Sequence, residues 1–344
     1  MQLHKDFDLQ PFNTFGISVK CKYLIEIQEE EELPRAVEMA THFGYPFMVL
    51  GGGSNLLFTE DYEGSILYMR ILGISVEVLD AEEVRITAGA GVVWHDLVAF
   101  AVENGYGGLE NLALIPGTVG ASPIQNIGAY GVELQDTFES LRGYHLEQGF
   151  LEFDKKSCHF GYRQSVFKGA LKGKFIVTQV RFRLSTKPVL KLHYSALQEA
   201  LAKRGMSTPS IAQVAEVVSS VRVSKLPDPS SIGNAGSFFK NPEIPEEQFQ
   251  RLRIDYPDMV GYPADESMIK TSAAWLIESC GWKGKVLGNT GTYAKHALVL
   301  VNHGGATGSD IWALAQSIQR SVQERYGIYL EPEVNIIGQV YRTD

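Results

Sequence analysis

Cysteine is scarce in this chain: 344 residues carry three, Cys21, Cys158 and Cys280, and no two of them form a C-x-x-C pair. That excludes a disulfide scaffold and a dithiol redox motif, and it leaves buried free thiols in a reducing compartment as the expectation. Metal spacing is missing as well. None of the eight histidines falls in an H-E-x-x-H or comparable arrangement, so no metal site is expected. Positive charge is in short supply, with 31 Lys and Arg against 40 Asp and Glu and a net charge of −9. This argues against a nucleic acid or an acidic membrane as a general partner, and any hold on an anionic ligand must come from a few placed Arg and Lys. No apolar run approaches the roughly 20 residues that span a bilayer. Met1–Asp8 holds no basic stretch followed by an apolar one. The expectation is a cytoplasmic protein, with no membrane and no obligate protein partner implied.

Both standard nucleotide fingerprints are absent too. No G-x-G-x-x-G occurs, which argues against a Rossmann site, and no G-x-x-x-x-G-K-[ST] occurs, which argues against a nucleotide-triphosphatase loop. What stands in their place is Leu114-Ile-Pro-Gly-Thr-Val-Gly-Ala-Ser-Pro-Ile-Gln-Asn-Ile-Gly-Ala-Tyr-Gly131, with four glycines and two prolines in eighteen residues. A surface linker would be more polar, and a helix or strand would not tolerate that glycine density. The segment reads as backbone brought close to a bulky ligand. Leu50-Gly-Gly-Gly-Ser-Asn-Leu-Leu-Phe58 has the same character, and it follows Pro46–Leu50, an apolar run that reads as a buried strand. Two glycine-rich loops tied to strands suggest a large cofactor with phosphates, because backbone amides in tight turns make anion-binding concavities. Asn55 and Asn126 add amide donors and acceptors. Plain turns are the competing reading for either loop taken alone.

An apolar share of 44% with 21% charged residues is that of a soluble globular protein, and the length allows two or three domains. Strands are expected at Tyr23–Ile27, Pro46–Leu50 and Ser65–Met69, with a helix from about Glu29 to Phe43 stopped by Gly44. A more β-rich stretch follows, with paired strands at Ile74–Leu79 and Glu83–Ala88. A helix Val93–Asn104 presents Trp94, Leu97, Val98 and Ala101 on one face. Further strands are expected at Leu141–Leu146 and Phe175–Leu184, then an excursion from Lys187 to Arg204 and a helix from Ile211 to about Val221. Lys225-Leu-Pro-Asp-Pro-Ser-Ser-Ile-Gly233 is the best boundary. Beyond it come a helix Thr271–Cys280, a strand Ala297–Asn302, a helix capped by Ser309 and stopped by Gly327, and a short strand Glu333–Gly338.

Several segments together resemble the UDP-N-acetylenolpyruvoylglucosamine reductase family. They are Asn13-Thr-Phe-Gly16, Leu50 to Phe58, Gly107-Leu-Glu-Asn-Leu-Ala-Leu-Ile-Pro-Gly117 running on to Gly131, and Phe160-Gly-Tyr-Arg-Gln-Ser-Val-Phe167. Lys225-Leu-Pro-Asp-Pro229, Gly233-Asn-Ala-Gly-Ser-Phe-Phe-Lys-Asn-Pro242 and Leu330-Glu-Pro-Glu-Val334 complete the set, which spans nearly the whole chain in the family's order. The resemblance implies an α+β fold: a two-domain FAD-binding module of the vanillyl-alcohol-oxidase (PCMH-like) type plus a third α/β substrate-binding domain. The implied divisions are 1–72 with 330–344, then 73–226, then 227–329. It implies NADPH-dependent, FAD-mediated reduction of UDP-N-acetylglucosamine-enolpyruvate to UDP-N-acetylmuramate in peptidoglycan precursor synthesis, with hydride delivered from flavin N5 and FAD held non-covalently.

The same resemblance assigns residues. Arg163 and Glu333 are expected to stabilise the enol that follows hydride addition, and Ser237 to donate the proton. A guanidinium suits the first task because it stays charged and takes a carboxylate bidentately. Glu331 competes with Glu333, which is favoured by its spacing from Ser237 and by the following Val334. FAD contacts are expected from Gly51, Gly52, Gly53, Ser54 and Asn55 in the first loop. In the second they are expected from Pro116, Gly117, Thr118, Gly120, Ala121, Ser122, Gln125, Asn126, Gly128, Ala129 and Tyr130. Tyr194, Arg222, Lys225, Asn241 and His296 match substrate-binding positions, Tyr194 belonging to the subtype whose tyrosine-bearing loop closes over the substrate. No nicotinamide-cofactor motif is recognisable. An oxygen-using oxidase on the same scaffold and a non-catalytic nucleotide-sugar binding module are the alternatives. No His or Cys resembles a covalent flavin anchor, and a pure binding module has no need of a redox cofactor.

Overall fold

The computed structural model describes residues 1–264 and 267–338. Contacts divide the chain into two compact units, the first made of 1–7, 21–52 and 63–224, the second of 8–20, 53–62 and 225 onward. Residues 339–344, expected in the first subdomain, lie outside the described residues.

In the first unit an antiparallel five-stranded sheet runs in the order Gly149–Asp154, Phe138–His145, Phe175–Ser185, Glu83–Gly89, Ile74–Val78. The central strand Phe175–Ser185 begins with four consecutive buried residues and then alternates, as a strand does when one face turns to water. On it lies the helix Trp94–Glu103, whose Trp94, Leu97, Val98 and Ala101 are all buried as their spacing requires. The Trp94 ring meets Phe182 edge-on at 5.9 Å, and its indole N–H donates to Leu112 O at 3.0 Å, which satisfies the one polar atom that burial strands. The helix Ile211–Lys225 adds Val214, Val217 and Val218 to the same core. Emptying a position such as Leu97 to Ala costs about 2–5 kcal/mol. A second sheet, in the order Gln2–Asp8, Lys20–Ile27, Tyr62–Met69, Phe47–Leu50, is packed by the helix Leu33–His42 through Leu33, Ala36 and Ala40.

The second unit pairs Asn335–Ile337 in parallel with Leu56–Phe58, Asn335 opposite Leu56. A hairpin sheet, Val286–Leu287, Thr290–Tyr293 and His296–Asn302, is packed by the helices Ala273–Ser279 and Gly308–Tyr326. A further small sheet and the helix Glu246–Asp255 stand beside it in sequence.

The excursion Lys187–Arg204 carries a helix, Ser195–Lys203, which buries Leu197 and Leu201. Three expectations need correction. The run expected as a buried strand Pro46–Leu50 forms an edge strand, Phe47–Leu50, and Val49 is 38% exposed. The long C-terminal helix is capped by Thr307, whose Oγ1 accepts from the Asp310 amide while Asp310 reaches back to the Thr307 amide; Ser309 donates instead to Thr59 O. Cys21 and Cys158 are buried free thiols, but Cys280 is only partly buried. Among the described residues no helix is long and apolar enough to cross a membrane.

Candidate active site

The two glycine-rich loops adjoin, and this explains their composition differently from the sequence reading. A Cβ on Gly51 would lie 2.5 Å from Thr118 Oγ1, and one on Gly52 would lie 3.0 Å from Gly117 Cα. Gly52 therefore lets backbone meet backbone and Gly51 makes room for the Thr118 side chain, with protein occupying the space a side chain would take. The second loop is stitched down by Val119 N to Val92 O and Gly120 N to Ala90 O, both at 2.9 Å. Yet the amides of Gly51, Gly52, Gly53 and Ser54 donate no hydrogen bond among the described residues. Consecutive unspent amides on a glycine turn fit a phosphate or pyrophosphate, so the residues present suit an FAD-sized cofactor with a diphosphate. Asn126 differs from expectation in what it offers. It is fully buried, its Nδ2 donates to Glu133 Oε2 and Gly161 O, and its Oδ1 accepts from the Gln135 amide. Its carboxamide is spent on Glu133, Gln135 and Gly161, outside the loop. Ser122 likewise donates to Val119 O at 2.6 Å.

In the first unit the loop's end gathers several expected site residues. Arg163, itself at positive φ, donates from Nη2 to Gly128 O at 2.8 Å and lies over the Tyr162 ring. Tyr130, also at positive φ, meets the Tyr194 ring edge-to-face at 5.4 Å. Burial pushes the Tyr130 phenol up, Arg222 opposing and Tyr194 adding to the rise. Arg222 stands on the last turn of the helix Ile211–Lys225, which runs past its expected end near Val221. Its Nε is buried with no partner among the described residues, and burial presses its pKa down with Tyr130 opposing. A guanidinium remains charged at neutral pH under such a shift. A partly buried cation with a buried, unsatisfied donor beside Tyr130 is what an anionic ligand would complete.

The second unit holds the other expected residues. Ser237 is bridged to Val299 of the strand His296–Asn302, and Phe238 N donates to Leu298 O at 2.8 Å. The C-terminal segment runs along its other side. Glu333 N donates to Phe238 O, and Lys240 N donates to Glu331 O. Glu331 places its carboxylate on Lys240 Nζ at 2.5 Å. The approach to Ser237 is braced by Asn234, whose Nδ2 donates to Ile232 O and whose Oδ1 accepts from the Gly236 amide. A Cβ on Gly233 would strike Phe15 O, which also accepts from Asn302 Nδ2. The motif Asn13–Gly16 is thereby tied to the serine loop, a link that spacing in sequence gave no means to find. Asn241 Oδ1 accepts from the Ala273 amide. His296 accepts from Leu298 N at Nδ1; burial lowers its pKa, with Lys225 and Lys283 pushing the same way against Glu278. Among the described residues no group of His, Cys, Asp and Glu could hold a metal ion.

Residues 21–147 match the family model of an FAD-binding domain. Together with the α+β architecture and the glycine loops, this defines an FAD-dependent oxidoreductase. Residues 228–337 match the model of the C-terminal domain of UDP-N-acetylenolpyruvoylglucosamine reductase. A curated protein of that name from Pseudomonas aeruginosa is 46% identical over 337 residues, covering 98% of this chain and 99% of its own. Another, from Amoebophilus asiaticus, is 44% identical over 338 residues, covering 98% and 100%. The crystal structure of the reductase from Thermus caldophilus superposes with a TM-score of 0.67 at 26% identity, covering 98% of both chains. The chain belongs to the UDP-N-acetylenolpyruvoylglucosamine reductase family.

Proposed function

We propose that the protein reduces the enolpyruvyl ether of UDP-N-acetylglucosamine-enolpyruvate, with NADPH as reductant, to give UDP-N-acetylmuramate for peptidoglycan synthesis. Bound FAD supplies the relay of hydride from nicotinamide to substrate. FAD is held non-covalently by the amides of Gly51–Ser54 and by the loop Pro116–Tyr130. The chain's own tasks are to bind, to hold charge and to deliver a proton. Arg163 takes the substrate carboxylate and the negative charge that gathers beside it, and Glu333 steadies the enol by hydrogen bonding. Ser237 gives its hydroxyl proton to the carbon next to the carboxylate. A serine is a weak acid, but an enolate-like carbon is a far stronger base than water, so a placed neutral hydroxyl suffices. Tyr194, Arg222, Lys225, Asn241 and His296 bind the nucleotide-sugar, with 227–329 as the substrate-binding domain.

The observation that carries this reading is the hydrogen bond from Glu333 N to Phe238 O, which sets the residue after Ser237 against the C-terminal glutamate. Anaerobic addition of NADPH, then of UDP-N-acetylglucosamine-enolpyruvate, tests it through the flavin spectrum. The expected course is bleaching by the first reagent and recovery on the second. Bleached flavin that ignores the enolpyruvyl substrate overturns the reading. Denaturation should release FAD from the chain; FMN, or flavin that stays attached, counts against it.

A further inference from the structure

Asn111 sits in the short turn Glu110–Leu112 at 1% exposure, and the reaction assigned above makes no use of it. The turn is a fixed base. Leu112 O accepts from the Trp94 indole at 3.0 Å, and the Glu110 carboxylate accepts from the Gly108 amide at 2.6 Å. From this base Asn111 Nδ2 donates to Tyr130 O at 3.0 Å and to Lys191 O at 2.8 Å. Two carbonyl acceptors decide which end of the carboxamide is nitrogen. Its Oδ1 is buried with no partner among the described residues. A buried acceptor left unpaired is costly, and an apolar side chain of similar size would fill the space without that cost. The two donated bonds are what the amide supplies.

The carbonyls it holds belong to segments 19 and 80 residues away in sequence. One is the turn at Tyr130, where a non-glycine φ of +50° is followed by Gly131 at +81°. The other is the stretch 188–193, which belongs to no helix or strand and leads directly into Tyr194. The two segments touch above Asn111. The Tyr130 and Tyr194 rings meet at 5.4 Å, and a Cβ on Gly131 would lie 2.9 Å from His193 Nε2.

We propose that Asn111 is a positioning residue for substrate binding, clamping the Tyr130 turn to the Lys191–Tyr194 stretch and so fixing where the Tyr194 ring stands. This rests on the reading of Tyr194 as a substrate contact. Asn111 acts through the two backbones and touches no ligand itself.

The test uses the flavin-loaded enzyme. Asn111→Asp keeps the size but turns an oxygen on both carbonyls, whereas Asn111→Ser keeps one donor on a shorter stem. Each is compared with wild type for FAD content, for KM and kcat with UDP-N-acetylglucosamine-enolpyruvate, and for hydrogen exchange over 187–194. The expected result for Asn111→Asp is unchanged FAD content, kcat within about threefold, KM raised about tenfold, and faster exchange, with Asn111→Ser intermediate. Unchanged KM and exchange in a flavin-loaded variant overturns the clamp. Loss of flavin from both variants overturns it too, because Asn111 is then a residue of the fold alone. Wild type that does not turn over the enolpyruvyl substrate overturns the substrate assignment instead, and the exchange comparison still decides the clamp.

Discussion

Glu333 donates its backbone amide to Phe238 O at 2.8 Å, one residue beyond Ser237. Glu331, two residues earlier, spends its carboxylate on Lys240 and is 65% exposed. An exposed pair of this kind is worth at most about 1 kcal/mol, so Glu331 has little to lose. Glu333→Gln is expected to lower kcat by roughly a hundredfold, and Glu331→Gln to stay within about twofold of wild type. Steady-state turnover of both variants decides between them. Equal losses would remove the distinction.

Ser237→Ala should separate the two halves of the reaction. The hydroxyl is assigned to the proton delivered after hydride addition, so flavin reduction by NADPH should keep its rate. Reoxidation by the enolpyruvyl substrate should slow by about a hundred- to ten-thousand-fold, the usual worth of a placed general acid. Stopped-flow absorbance resolves the two. If both steps fell together, Ser237 would belong to the structure of the site and not to its chemistry.

Helix stripes and stops were legible in the sequence because they are local. Gly44, Gly105, Gly281 and Gly327 each sit at φ between +66° and +75° just past a helix, where only glycine is unstrained. The true cap of the last helix was also there to be read, since Thr307-Gly-Ser-Asp310 is a capping box; Ser309 misled because its hydroxyl is two residues nearer the apolar stripe. Other features depend on partners far away in sequence. The loop glycines signalled close approach correctly, but whether backbone approaches a ligand or another loop is settled by the fold, as Gly52 against Gly117 illustrates. Nothing local marks Asn126 as a residue whose side chain is wholly used up by Glu133, Gln135 and Gly161, or Arg222 as a cation whose Nε is buried without a partner among the described residues.

His296 should make stability depend on pH. Burial holds it below the ordinary imidazole value, and Lys225 and Lys283 add to the shift. Below about pH 6.5, the unfolded imidazole value, the unfolded chain takes up a proton that the folded chain refuses. The unfolded state then binds more protons, so stability falls with falling pH. The contribution is complete above the unfolded value and is lost progressively until the lower folded value is passed. His296→Gln should therefore flatten the dependence of Tm on pH below about 6.5 relative to wild type. Thermal melts of both proteins across that range are the measurement, and parallel curves would show that the shift has no consequence for folding.

Tyr194 stands where the irregular stretch ends and the helix Ser195–Lys203 begins, 45% exposed with its ring against Tyr130. Its hydroxyl is the part that a nucleotide-sugar would engage, since the ring already packs within the protein. Tyr194→Phe keeps that packing and removes only the hydroxyl, so FAD content should be unchanged while KM for the enolpyruvyl substrate rises by about five- to tenfold, the cost of a lost hydrogen bond. The same segment should respond to the substrate as a whole. Leu197 and Leu201 anchor the helix, whereas 188–193 has no regular structure and is held by the bond from Asn111 Nδ2 to Lys191 O. Closure over bound substrate would complete the site and exclude water. Hydrogen exchange over residues 187–204 should slow when substrate is added to the flavin-loaded enzyme, with the largest change on the Tyr194 side of Leu197. Equal protection with and without substrate would mean that the segment is a fixed wall, and that Tyr194 contributes through its hydroxyl alone.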